Sequence, residues 1–127
     1  MSDEKTTSIL VVDDDKNQRS MLEFALRDRG YRVVAVDSGA LAIEQVKKDK
    51  FDAAICDIMM PGINGVAALG QLKRLQPNLK VIMATAYATS ALAAASMKGG
   101  ATGYIAKPYD LKELFAMLDI ALAGKGP

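Results

Sequence analysis

The chain has no histidine, no tryptophan and a single cysteine among its 127 residues. Without histidine, imidazole acid–base chemistry and a Ser-His-Asp triad are excluded. With one thiol and no imidazole, a zinc site lacks its usual donors. A lone cysteine forms no internal disulfide, which fits a reducing, cytoplasmic setting. A surplus of one charge is also missing: 16 Lys and Arg face 15 Asp and Glu, for a net charge of +1. Nothing therefore marks a nucleic-acid or membrane surface. No apolar run approaches the roughly 20 residues that span a bilayer. The opening M-S-D-E-K-T-T-S is polar and mixed in charge, unlike a signal peptide. What is present, 50% apolar and 24% charged, suits one globular domain. Any chemistry must use carboxylates, hydroxyls, lysines or a hard metal ion.

The most informative stretch is F-D-A-A-I-C-D-I-M-M-P-G-I-N-G, residues 51–65. A short apolar run, 53–56, stops at Asp57, and Pro61, Gly62, Asn64 and Gly65 then break the chain. Such a run closed by turn residues predicts a buried strand. A strand buried on both faces points to a parallel sheet, whose ligands sit beyond the carboxyl ends of its strands.

The rest of the chain repeats that theme. Residues 9–12 are apolar and run into Asp13, Asp14 and Asp15. Further strands are predicted over 31–36, 80–84 and 103–106, the last two followed by Thr85 and Lys107. Helices are predicted over 17–29, from Ser38 to Lys48, over 64–76, over the Ala-rich 87–100, and after Asp110. The predicted apolar faces include Leu41, Ala42, Ile43 and Val46 in the second helix, and Val66, Leu69, Leu72 and Leu75 in the third. Strict alternation with short loops gives a single doubly wound α/β domain, with five parallel strands and five helices. Residues 1–7 read as a disordered lead, 8–123 as the domain, and 124–127 as a tail or the start of a linker.

In a parallel sheet the strand ends share one edge. That edge would gather Asp13, Asp14, Asp57, Thr85 and Lys107. Three carboxylates against one lysine leave a net charge of −2. Like charges so close demand a counter-ion, and a hard cation with oxygen ligands such as Mg²⁺ fits. Mg²⁺ typically bridges carboxylates and phosphate. Phosphoryl transfer needs mainly an in-line nucleophile and positive charge on the oxygens. A carboxylate serves as nucleophile: Asp57 would attack, Lys107 and Mg²⁺ would hold the oxygens, and Thr85 would hydrogen-bond the product.

D-D at 13–14, D-x-x-M-P-G-x-N-G from 57, T-A at 85–86 and Y-I-A-K-P at 104–108 resemble the receiver domain of two-component response regulators. The resemblance covers roughly the whole chain. It implies a flavodoxin-like sheet of order 2-1-3-4-5 and a phosphorylation-activated switch. It makes Asp57 the phosphoacceptor and Asp13 and Asp14 the acids that hold Mg²⁺, with the backbone carbonyl of Met59 as a further ligand. Thr85 becomes the switch hydroxyl, Lys107 the phosphate partner and Tyr104 the aromatic that changes rotamer. The Lys107-Pro108 bond is expected to be cis. The donor is the phosphohistidine of a histidine kinase or a phosphotransfer protein. The readout is the face of the fourth helix, fifth strand and fifth helix, with a monomer or weak dimer through that face. The domain would catalyse its own phosphorylation and dephosphorylation rather than turn over a small molecule. A C-terminal effector, DNA-binding or ATPase, or a separate downstream protein would carry the output. No nucleic acid or membrane is bound by this domain itself.

Each residue also has a plainer reading. A lone Asp57 would be a turn aspartate, but convergence with two other acids and Lys107 favours chemistry. Asp15 reads as a helix cap. Thr85 is as readily an ordinary strand-end hydroxyl, and Tyr104 is expected to be partly buried in any fold. Cys56 should point to the sheet face opposite Asp57 and read as core. Met59 and Tyr87 lie two residues after Asp57 and Thr85, where the family places groups flanking the hydrolytic water. Both are bulky and neither orients water, so slow self-dephosphorylation is expected. Seven of residues 86–101 are alanine, so the fourth helix should be loosely held. The competing readings are an aspartate-nucleophile hydrolase, a flavodoxin-like cofactor binder and a degenerate docking receiver. The first lacks a general acid at Met59. The second would set three aspartates against the cofactor's phosphate. The third is opposed by the complete set of site residues.

Overall fold

The computed structural model describes residues 6–60, 62 and 64–123. The lead and tail expected at 1–7 and 124–127 fall largely outside these residues. Within the lead, Thr7 already offers its carbonyl to the N–H of Arg32. The elements run β1 (Ser8–Val12), α1 (Lys16–Asp28), β2 (Arg32–Val36), α2 (Gly39–Lys48), β3 (Ala53–Asp57), α3 (Gly65–Leu75), β4 (Lys80–Thr85), α4 (Ser90–Lys98), β5 (Gly103–Ala106) and α5 (Leu111–Ala123). All strand pairs are parallel, in the order β2-β1-β3-β4-β5.

The period-2 alternation of each strand splits the core in two. Ile9, Val11, Ala53, Ile55, Ile82 and Ala84 face Leu22 and Leu26 of α1 and Leu114 and Leu118 of α5. Leu10, Val12, Ala54, Cys56, Val81 and Met83 face α2 and α3. Cys56 is therefore core, as expected, and burial with the charges of Asp57 and Asp13 pushes its thiol up to about 12. The helices start on side-chain caps that satisfy otherwise free N–H groups. Asp15 accepts from Gln18, Ser38 from Leu41, Asn64 from Ala67, Thr89 from Leu92, and Asp110 from Lys112 and Glu113.

Three local expectations need correction. Leu41 and Leu75 are exposed. In α2 the inner face is taken by Ala42, Ile43 and Val46, and in α3 by Ala68, Leu69 and Leu72. The fourth helix spans Ser90–Lys98 rather than 87–100. Its start is delayed because the Tyr87 N–H is taken by Thr85 Oγ1 and the Thr89 hydroxyl caps Leu92. The Lys107-Pro108 bond is cis, as expected.

Candidate functional site

The carboxyl ends of β1, β3, β4 and β5 meet at one edge, and the polar residues read from the sequence meet there too. Asp13 continues the ladder, its N–H donating to Val36 O at 3.1 Å. Its side chain is fully buried (0% exposed) and Asp57 nearly so (4%), while Asp14 is exposed. Asp13, Asp14 and Asp57 each bring a carboxylate oxygen within 4.8 Å of the others. Lys107 Nζ sits between the two buried acids, 2.9 Å from Asp57 Oδ2 and 3.0 Å from Asp13 Oδ2.

The remaining bonds fix these groups. Asp57 Oδ1 accepts the Met59 N–H at 3.2 Å. Asp13 Oδ1 accepts the Asp15 N–H at 2.9 Å, and Arg19 Nη1 donates to the Asp13 carbonyl at 2.9 Å. Thr85 is buried and its Oγ1 accepts the Tyr87 N–H at 3.0 Å. The Lys107 N–H donates to Thr85 O at 2.8 Å, locking β5 beside β4. Asn64 and Gly65 bring α3 up behind Asp57, with the Gly65 N–H donating to Ile58 O at 2.8 Å. A Cβ on Gly65 would overlap the Asp57 carbonyl oxygen and Ile58 Cα, so the close approach requires glycine.

The electrostatics follow from burial and uneven charge. Burial raises the Asp57 carboxyl above its ordinary value. The Lys107 hydrogen bond and charge pull it down, the Asp13 charge adds to the rise, and the Met59 N–H opposes it. Burial works against the Lys107 ammonium, yet its bonds to Asp57 and Asp13 and their charges outweigh that and hold it above the lysine norm. One ammonium does not neutralise the pocket. A cluster of hard carboxylate oxygens with surplus negative charge suits an oxygen-seeking divalent cation.

The other expected residues lie around this centre. Met59 is 52% and Tyr87 67% exposed at the rim. Tyr104 is half-buried against the α2–α3 side of the core, and its hydroxyl accepts the Thr89 N–H at 3.3 Å. Two residues of the site escape a reading of the sequence. Arg19, one turn past the Asp15 cap, holds the Asp13 carbonyl. Tyr109, two residues after Lys107, places its hydroxyl 3.4 Å from Asp13 Oδ2. Burial, then the charges of Asp13 and Asp57, push that hydroxyl above the ordinary phenol range, so it remains a proton donor. The only sequence signal was its place beside the K-P turn.

Residues 9–119 match the family model of the response regulator receiver domain, and the chain belongs to that family of two-component signalling modules. The transcriptional regulatory protein ZraR of Escherichia coli is 42% identical over 115 residues, 91% of this chain and 26% of that protein. The chain thus spans about a quarter of that relative's length. A CheY-like receiver domain protein from Methanospirillum hungatei superposes with a TM-score of 0.91 at 28% identity, covering 94% of this chain and 96% of that one. A response regulator from Chloroflexus aurantiacus gives 0.87 at 36% identity, covering 94% and 99%. Among the described residues no helix is long and apolar enough to cross a membrane.

Proposed function

We propose that Asp57 accepts a phosphoryl group from the phosphohistidine of a histidine kinase or phosphotransfer protein, and that this modification switches the domain. The observation that carries the reading is the Lys107 ammonium buried between Asp57 and Asp13, beside a third carboxylate, at the sheet edge. An Asp57 oxygen attacks phosphorus in line. The P–O bond forms, the P–N bond breaks, and its electron pair stays on the imidazole, which takes a proton from solvent. Asp13, Asp14, Asp57 and the Met59 carbonyl would hold Mg²⁺, which when bound offsets negative charge on the acids and the phosphoryl oxygens. Lys107 turns from Asp13 to a phosphoryl oxygen. The Thr85 hydroxyl donates to another, and Tyr104 moves after it into the space vacated. The surface of α4, β5 and α5 changes as a result, a two-state element biased by local charge. An effector joined at the C-terminus, or a separate protein, reads that surface in the cytoplasm. A weak dimer through it is a further outcome.

Incubation with acetyl phosphate, with and without Mg²⁺, followed by intact mass, tests this. The expected result is a Mg²⁺-dependent phosphoryl adduct on the wild type that is lost in Asp57→Asn. No adduct under any condition would leave a degenerate docking module.

A further inference from the structure

Asp13 has no access to water, so its carboxylate oxygens depend on donors within the protein and on the cation the site would hold. Oδ1 has the Asp15 N–H at 2.9 Å. Oδ2 has two candidates, Lys107 Nζ at 3.0 Å and the Tyr109 hydroxyl at 3.4 Å. The second distance is long for O–H···O, which usually closes to about 2.5–3.0 Å. The ammonium already occupies the better position on that oxygen. The Tyr109 ring packs on the α1–α5 side of the core, with Lys107 Nζ 5.7 Å from the ring centroid. It therefore stands beside both groups without needing to travel.

If Lys107 turns to a phosphoryl oxygen, Asp13 Oδ2 loses its short donor while still buried. Leaving it bare is costly. We propose that Tyr109 is a positioning residue: its hydroxyl closes onto the Asp13 oxygen that Lys107 releases, keeping that carboxylate aimed at the site in the phosphorylated state. This rests on Asp57 being the acceptor. It assigns Tyr109 a part that depends on state, weak in the free protein and strong in the modified one.

The test compares wild type, Tyr109→Phe and Tyr109→Leu in two measurements. One is the urea midpoint of the free protein. The other is affinity for beryllofluoride, a phosphoryl mimic, at saturating Mg²⁺ by calorimetry. Tyr109→Phe keeps the ring and should leave the free-state midpoint unchanged while weakening beryllofluoride binding by about tenfold, the scale for loss of a donor that orients a metal-binding carboxylate. Tyr109→Leu should lose in both. Tyr109→Phe binding as tightly as wild type would overturn the proposal. So would an equal loss in both measurements, or a free protein that no longer folds, because the hydroxyl would then be structural. A wild type that takes up no beryllofluoride removes the acceptor reading, and the proposal with it.

Discussion

Two helices, α3 and α4, follow two of the site strands, β3 and β4, and they are seated in opposite ways. α3 follows Asp57. It buries Gly65, Ala68, Leu69 and Leu72, and its first residue is pressed against the backbone of Asp57 and Ile58. α4 follows Thr85. The one residue it buries is Ser96, whose Oγ has no hydrogen-bond partner among the described residues. Leu92 is half-buried and Met97 is 51% exposed. The apolar area that holds a helix down is therefore large behind Asp57 and small behind Thr85. The Asp57 side is packed to hold one geometry, while the Thr85 side holds its helix with little buried apolar surface.

The largest expected effect breaks the firm side. Gly65→Ala must push α3 off the Asp57 backbone, since the new Cβ meets main chain and not a side chain that can swing away. We expect a loss of about 3 kcal/mol in urea denaturation, with slower phosphorylation by acetyl phosphate because Asp57 moves with it. Wild-type stability would show that α3 has slack at its start.

A smaller effect sharpens the loose side. Ser96→Ala removes an unpartnered buried hydroxyl and adds the better helix former. Each change favours docking of α4, together by about 1 kcal/mol. Amide exchange in α4 of the wild type should be faster than in α3, and Ser96→Ala should narrow the gap. Equal exchange in α3 and α4 of the wild type would erase the contrast between them.

Much of this arrangement was legible in the sequence because it depends on residue type at a strand end. Asp13, Asp57, Thr85 and Lys107 each follow a short apolar run, and parallel pairing does the rest. The sheet order and the part given to Tyr104 came from resemblance rather than from periodicity. What was not legible depends on contacts between distant positions. Tyr109 meets an aspartate 96 positions earlier, and no local pattern encodes that. Leu41 and Leu75 looked inward by spacing, yet the buried positions are Ala42, Ile43 and Val46 in α2 and Ala68, Leu69 and Leu72 in α3. The late start of α4 turned on two hydrogen bonds accepted by the Thr85 and Thr89 hydroxyls, which apolar periodicity does not see.

The smallest effect concerns the two loops themselves. Met59 and Tyr87 occupy matching places, two residues past Asp57 and Thr85, and their N–H groups are tied to Asp57 Oδ1 and Thr85 Oγ1. The backbone at each place is fixed, so a substitution there changes the rim and not the site beneath it. A thioether and a phenol ring at the rim are expected to obstruct water, since neither is a carboxylate or an amide. Met59→Asn would supply an amide that positions water, and Tyr87→Glu a carboxylate that does the same. Each is expected to shorten the lifetime of the phosphorylated form by about threefold, a barrier change of roughly 0.7 kcal/mol, followed by decay of the intact-mass adduct. Because Met59 belongs to the firm side, its effect should persist in Ser96→Ala. The effect of Tyr87, which precedes the loosely seated helix, should grow when α4 is held in place. Equal responses of the two positions to Ser96→Ala would mean that the seating of α4 does not reach the rim.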